Sequence, residues 1–251
     1  MYDGSPMDDM PENTGTGTLY VVATPIGNLE DMTHRAVRVL GQVDALACED
    51  TRRTRRLLDH YGISPPGTIF PCHEHNEAQA VDGILALLDR NRSVAICTNA
   101  GYPGISDPGY RIISAARDRG IDVAVLPGAG AVEAALLASG LSTAGYIFKG
   151  FAPRKSGRRR RFLEEEADRA HTLVFFESPY RLGKLLAAAH DVLGDRLAAV
   201  CIELTKKFER VHRGYLSDLA AEFEGRKVKG EVTVVIAGSN PKFCRDDPGV
   251  P

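Results

Sequence analysis

The residues of this chain best suited to chemistry lie in three turns rich in glycine and proline, each following a short β-branched run. They read Thr24-Pro25-Ile26-Gly27-Asn28, Asn99-Ala100-Gly101-Tyr102-Pro103-Gly104-Ile105-Ser106-Asp107-Pro108-Gly109 and Pro127-Gly128-Ala129-Gly130. Glycine lets backbone approach a ligand closely and proline fixes the path of the chain, so such turns can hold a small molecule through main-chain groups. One such turn alone is an ordinary chain reversal. Part of the second has a local explanation, because Asp107 before Pro108 makes an N-cap and first-turn pair for the next helix. None of the three matches the G-x-G-x-x-G dinucleotide pattern or a Walker A loop, which counts against nicotinamide and nucleotide readings.

Two further clusters are polar. Glu49-Asp50-Thr51-Arg52-Arg53-Thr54-Arg55-Arg56 follows a second apolar run, and His73-Glu74-His75-Asn76-Glu77 lies downstream. His73 and His75 lack a third ligand at matched spacing, so no metal is expected and acid/base work or substrate contact is the better reading. A basic run holds Arg154, Lys155, Arg158, Arg159, Arg160 and Arg161 between Phe151 and Phe162. A charged run is usually a solvated helix face, and Glu164 to Glu166 could pair with it. Together with the arginines from Arg52 to Arg56 it also suits a phosphate backbone, which points to RNA contact.

The elements that must position these residues follow from the pattern of the chain. At 251 residues and 43% hydrophobic content, it can bury two domains of ordinary size. Lys+Arg (31) and Asp+Glu (33) nearly cancel, so the net charge of −2 says nothing about nucleic acid and only clustering can. Short β-branched runs alternate with amphipathic segments from Thr18 onward, which predicts an α/β domain with a parallel sheet over 18–140. A second series over 146–238 has too little chain between its last runs for another doubly wound sheet, so a mixed sheet is expected there. Residues 1–17 and 239–251 read as disordered tails. The five cysteines show no pairing pattern and read as buried thiols in a reducing compartment. With no run long enough to span a bilayer and no signal-peptide layout, a cytoplasmic protein without a membrane partner is expected.

In order along the chain, these segments resemble the ribosomal RNA small subunit methyltransferase I family, a branch of the tetrapyrrole methylase superfamily. The resemblance spans about 17–238. It is carried by the first turn extended through Leu29-Glu30-Asp31, by Glu49-Asp50-Thr51-Arg52, His73-Glu74-His75-Asn76-Glu77 and Pro103-Gly104-Ile105-Ser106-Asp107-Pro108-Gly109. Gly150-Phe151-Ala152-Pro153-Arg154-Lys155, Phe176-Glu177-Ser178-Pro179, Glu203-Leu204-Thr205-Lys206 and Lys229-Gly230-Glu231 complete it. It implies a homodimer of two-domain α/β chains with S-adenosylmethionine in the cleft between the domains, and methyl transfer to the ribose 2′-oxygen of a cytidine in small-subunit ribosomal RNA. By motif, the cofactor would meet Pro25, Ile26, Gly101, Tyr102, Pro103, Gly104, Ile105, Ser106, Gly128, Ala129, Gly130, Ala131, Phe176, Leu204 and Gly230. The family usually has Ser-Asp-Ala-Gly-Thr-Pro where this chain has Thr98-Asn99-Ala100-Gly101-Tyr102-Pro103, and Pro-Gly-Pro-Ser where it has Pro127-Gly128-Ala129-Gly130. Asn99 thus lacks a carboxylate, and Tyr102 adds a ring beside the expected cofactor.

A sulfonium donor is already activated, so the protein's task would be alignment and exclusion of water, helped by a base near the ribose hydroxyl. Asp50, Glu74 and His73 are the candidate bases, with Arg52 and Lys206 placing phosphate or stabilizing the developing oxyanion. The RNA-facing set is Arg52, Arg53 and the basic run from Arg154 to Arg161. Two rivals remain at this level: a tetrapyrrole C-methyltransferase of the same superfamily, and an RNA-binding assembly factor that has lost catalysis.

Overall fold

The computed structural model describes residues 17–245, so of the tails expected at 1–17 and 239–251 the stretches 1–16 and 246–251 lie outside the described residues. The chain forms two compact units. Among the described residues, the first holds 17–25 and Leu29–Ala129, and the second holds Ile26–Asn28 and 130–245.

In the first unit, β1 (Thr18–Val22), β2 (Ala45–Cys48), β3 (Thr68–Pro71), β4 (Val94–Cys97) and β5 (Asp122–Leu126) form a sheet of order β3-β2-β4-β1-β5. Every pairing is parallel, as expected. Successive strand side chains point to opposite faces. Tyr20 and Val22 therefore pack under α1 (His34–Leu40) and α2 (Thr51–His60), while Leu19 and Val21 pack under α3 (Glu77–Leu88) and α4 (Tyr110–Asp118). Because both faces are covered, β2 and β4 are apolar throughout, and β1 is buried after Thr18. The helices after the neighboring strands β1 and β4 lie on opposite faces, which makes the carboxyl edge there a topological switch point. The same strand order sets β4, β1 and β5 side by side, so all three glycine- and proline-rich turns emerge along one edge.

The second unit opens with α5 (Ala131–Ser139) and continues with β6 (Tyr146–Phe151), α6 (Ser156–Glu164), β7 (Thr172–Glu177), α7 (Leu182–Leu193) and β8 (Leu197–Ile202). It ends with β9 (Arg210–Tyr215), α8 (Leu216–Phe223) and β10 (Val232–Ile236). The sheet order is β6-β7-β10-β8-β9, with β6 parallel to β7 and the other pairings antiparallel, which is the expected mixed sheet. Leu163, Leu185, Leu186, Leu219 and Phe223 of α6, α7 and α8 close one face over Phe175, Val200 and Val234. On the other face α5 packs on β8 and β10, where the Cys201 thiol reaches the Ala135 carbonyl at 3.9 Å.

Four local features depart from the sequence reading. The division between units falls after Ala129 rather than near Gly140, because α5 is committed to β8 and β10. Strand β3 is additional: it is four residues long, half-exposed and closed by a proline, as suits an edge strand. Helix α4 starts at Tyr110 after Gly109, not at Asp107-Pro108, and its cap comes from α3: the Glu77 carboxylate accepts from Gly109 N at 2.9 Å and Arg111 N at 3.0 Å. Finally, the stretch after Gly238 is tied down as far as Arg245. Ser239 N donates to the Arg169 carbonyl at 2.7 Å, and the Arg245 guanidinium lies 2.6 Å from the Asp218 carboxylate.

Candidate active site

The three turns at the carboxyl edge of the parallel sheet are joined to one another. Thr24 and Gly101 exchange two backbone hydrogen bonds, each of 2.9 Å, and the Thr24 hydroxyl donates to the Thr98 carbonyl at 3.0 Å. The Tyr102 hydroxyl then accepts from Gly128 N at 2.9 Å, linking the turns after β4 and β5. Gly128 closes the circuit: a Cβ there would come within 2.9 Å of Ala23 Cβ, so only glycine fits against β1. Tyr102, the bulky departure from the family pattern, is thus a strut between two of the turns.

The loop from Gly101 to Gly109 also folds on itself. Gly104 N donates to the Pro108 carbonyl at 3.1 Å, and Gly109 adopts φ +139 with Gly104 N in its path. Ser106 has φ +62. Among the described residues, the other non-glycine positions with positive φ are Asn91, Glu203 and Thr205, the last a β-branched residue for which this region is a real outlier. Two of them lie in Glu203-Leu204-Thr205-Lys206, where Gly27 packs so tightly that a Cβ would meet Lys206 Cγ at 2.3 Å. Ile26–Asn28 therefore belongs with the second unit, while Pro25 belongs with the first.

The parallel order brings the polar clusters after β2 and β3 to the same edge of the sheet. Asp50 caps α2, accepting from Arg52 N at 2.8 Å and Arg53 N at 3.3 Å, and these donors hold its carboxyl below the usual range. Glu49 reaches across to the loop after β4, where its carboxylate accepts from Asn99 N at 3.0 Å. The Asn99 side-chain oxygen is buried and without a partner, as is Nδ1 of His73. The segment after β3 is a tight turn in which the Asn76 side chain accepts from His73 N at 2.7 Å and donates to the Pro71 carbonyl at 3.0 Å. Glu74 and His75 are exposed on it. The five cysteines are free; burial pushes Cys97 and Cys201 up to about 12, so these are structural thiols. No group of residues able to hold a metal exists among the described residues, and none of their helices is long and apolar enough to cross a membrane.

In the second unit Glu177, Glu203 and Glu231 are ion-paired. Glu177 is buried at the end of β7; it accepts from Ser178 N and pairs with Arg181, and burial nonetheless pushes its carboxyl up. Arg159 lies in the same field and is itself buried, with its guanidinium on the Arg154 carbonyl at 3.4 Å. It is an internal charge of α6, unlike Arg154, Lys155, Arg158, Arg160 and Arg161, which are exposed. Arg160 is answered by Glu164 at 2.8 Å. Lys206 lies 2.8 Å from Glu203 and 3.0 Å from Glu231. Burial works against its charge, but these two carboxylates prevail and hold it protonated beyond the usual lysine range. Phe176 carries no charge partner and is flanked by the rings of Phe148 at 4.8 Å and Phe151 at 5.7 Å. The Glu49–Asn99 link, the Tyr102 strut and the Glu177 pair were not legible from spacing, because each joins residues from separate turns or elements.

The model for Tetrapyrrole (Corrin/Porphyrin) Methylases matches residues 18–220. The chain is 44% identical over 224 residues to the ribosomal RNA small subunit methyltransferase I of Streptococcus pyogenes serotype M3, covering 89% of this chain and 77% of that one. It is 42% identical to the protein of that name from Bacillus subtilis, covering 89% and 76%. The crystal structure of the methyltransferase CobJ has the same fold, with a TM-score of 0.66 at 17% identity over 89% of this chain and 95% of that one. The chain belongs to the tetrapyrrole (corrin/porphyrin) methylase family, in its ribosomal RNA small subunit methyltransferase I branch.

Proposed function

We propose that this protein transfers a methyl group from S-adenosylmethionine to small-subunit ribosomal RNA, at the ribose 2′-oxygen of a cytidine. The observation that carries the reading is the joined set of turns at the switch point of a parallel sheet, in a chain more than 40% identical to proteins named ribosomal RNA small subunit methyltransferase I. When bound, S-adenosylmethionine supplies a methyl group already activated by its sulfonium.

The residues present fit such a cofactor. Helix α5 begins at Gly130 with no side-chain cap, so its first N–H groups are open to a carboxylate. The partnerless Asn99 oxygen suits an amine or hydroxyl donor. Pro25, Ile26, Gly101 to Ser106, Gly128 to Ala131, Phe176, Leu204 and Gly230 are the proposed contacts. For the proton of the ribose hydroxyl, His73 and Glu74 are the favored bases. Asp50 already accepts two backbone N–H groups, which weakens it as a base and suits it to holding Arg52 and Arg53 toward phosphate. Lys206, shared by two carboxylates, serves to fix Gly27 and the strained turn at 203–205 rather than to receive an oxyanion. Exposed Arg154, Lys155, Arg158, Arg160 and Arg161 meet the RNA backbone; Arg159 supports them from inside. We further propose a cytoplasmic homodimer, for which the exposed Val125 (51%) and Leu137 (71%) provide apolar surface.

The test is incubation with methyl-labeled S-adenosylmethionine and small ribosomal subunits lacking the modification, followed by mapping of the labeled nucleotide. Label on a cytidine ribose supports the reading. Label on a base, or none with cofactor bound, sinks it. Sedimentation of the purified protein at micromolar concentration decides between monomer and dimer.

A further inference from the structure

Beside the Glu203–Lys206 turn, and reaching Gly230, the second unit carries an open concavity of ≈ 350 Å³ where β8 ends and β9 begins, on the side of the sheet that α8 covers. Its walls come from two separate pieces of chain. The approach to β9 supplies Phe208, Arg210 and His212; the link from α8 to β10 supplies Arg226, Lys227 and Lys229. Two charges on this wall are already answered, since Arg226 pairs with Glu222 at 2.6 Å and Glu203 with Lys206 at 2.8 Å. Arg210, Lys227 and Lys229 have no ion pair among the described residues, and all are exposed. Phe208 is 68% exposed beside them, flanked by the Lys207 ammonium at 5.7 Å. His212 is held by Glu222 through Nδ1 at 2.9 Å, and its Nε2 is buried with no partner.

An ordinary solvated face does not need this arrangement. On α6 the cations follow one another along a single helix, where Arg160 finds Glu164 at helical spacing; here three cations without an ion pair converge from two separate segments on one bare ring. An aromatic plane offered to solvent inside a cationic trough is the chemistry of a single-stranded nucleic acid site, where a base stacks and the flanking phosphates are neutralized. A duplex, whose bases are already stacked, could use only the cations. The volume lies within the range of about 300–1,000 Å³ for clefts that hold small ligands.

We propose that this concavity binds an unpaired segment of the substrate RNA, with a base on Phe208 and phosphates on Arg210, Lys227 and Lys229. The inference rests on the ribosomal RNA reading above and adds where an unpaired part of that RNA lies. The test uses fluorescence anisotropy with a fluorescein-labeled twelve-nucleotide single-stranded RNA of mixed sequence, and a duplex of the same length, across a salt series. In the variant Arg210→Ala/Lys227→Ala/Lys229→Ala, the slope of log affinity against log salt is expected to fall by about 2, from about 0.7 per lost phosphate contact. Phe208→Ala is expected to weaken single-strand binding about tenfold, with the slope unchanged and no effect on the duplex. If the triple variant melts early, Lys229→Glu alone replaces it, with the same direction expected. A wild-type slope in the charge variants, or equal loss for both RNAs with Phe208→Ala, overturns the inference. Methyl transfer by the wild-type protein to small subunits in that case leaves the wider reading standing; absence of any transfer by the wild type overturns that reading instead.

Discussion

The two units hold their functional turns by different means. At the edge of the parallel sheet the ties are mostly neutral: a reciprocal backbone pair between Thr24 and Gly101, the Tyr102 hydroxyl on Gly128, and glycines where backbone meets backbone. In the mixed-sheet unit the ties are ionic, built on Glu177 with Arg181 and on Glu203 and Glu231 with Lys206. Neutral ties respond little to pH or salt, whereas ionic ties respond to both, and in directions that depend on burial. The comparison places the ion-pair part of the acid and base sensitivity in the turns of the second unit, while the first unit adds the acid limb of Asp50, whose carboxyl its backbone donors hold low.

The largest effect is expected at Glu177. Its removal in Glu177→Ala leaves Arg159 and Arg181 uncompensated beside a buried position, at a cost of about 3–5 kcal/mol in urea unfolding. Glu177→Gln keeps an acceptor for Ser178 N and should cost clearly less. Its raised folded value also means that Glu177 favors the fold below the ordinary carboxylate range and that this contribution is lost as pH rises through the folded value. The glutamine variant should remove that slope; an unchanged pH profile would assign the sensitivity elsewhere.

Next comes Gly109→Ala. The φ of +139 and an approach of 2.9 Å to Gly104 N leave no room for a methyl group, and a loss of about 2 kcal/mol is expected. The same variant should bind S-adenosylmethionine more weakly by calorimetry. Normal stability would show that the loop relaxes freely.

Tyr102→Phe removes the bond that the hydroxyl accepts from Gly128 N at 2.9 Å and the longer one it donates to the Gly128 carbonyl at 3.4 Å, together worth about 1–2 kcal/mol, and unties the turn at Gly128. Cofactor affinity should drop severalfold with a less favorable entropy. Tighter binding would mean instead that the hydroxyl competes with the cofactor for Gly128 N.

The smallest effect concerns Lys206. Burial raises the Glu203 carboxyl, but Lys206 and the Glu231 N–H outweigh it and leave it lowered, so its contribution holds above the ordinary carboxylate value and is lost as pH falls through the folded one. Lys206→Met should flatten this acid limb by about 1 kcal/mol or less. A steeper limb in the variant would break the contrast between the two units.

The alternation of apolar runs made the α/β class, the parallel first sheet and the mixed second sheet readable, because burial on one or both faces writes itself into the residue pattern. What was not readable depended on partners distant in sequence. Asp107-Pro108 has the local chemistry of a helix start, yet Glu77 supplies the cap from another helix and moves the start to Tyr110. Arg159 looked like one of six equivalent cations until the helix turned it toward Glu177. The turns themselves stood out by composition, while the strut and the backbone pair that join them did not. Strand β3 is too short and too exposed to carry a pattern at all.

Helix α5 is made early and covered late. Its buried residues Val132, Ala135 and Leu136 pack on strands that include β10, whose last residue is Ile236, about 100 positions further along the chain. At a synthesis rate of about 5–20 residues per second, that apolar stripe waits roughly 5–20 s on the ribosome for its partner. The first sheet has all five of its strands by Leu126, so the nascent protein carries a complete parallel sheet followed by one uncovered helix during that interval.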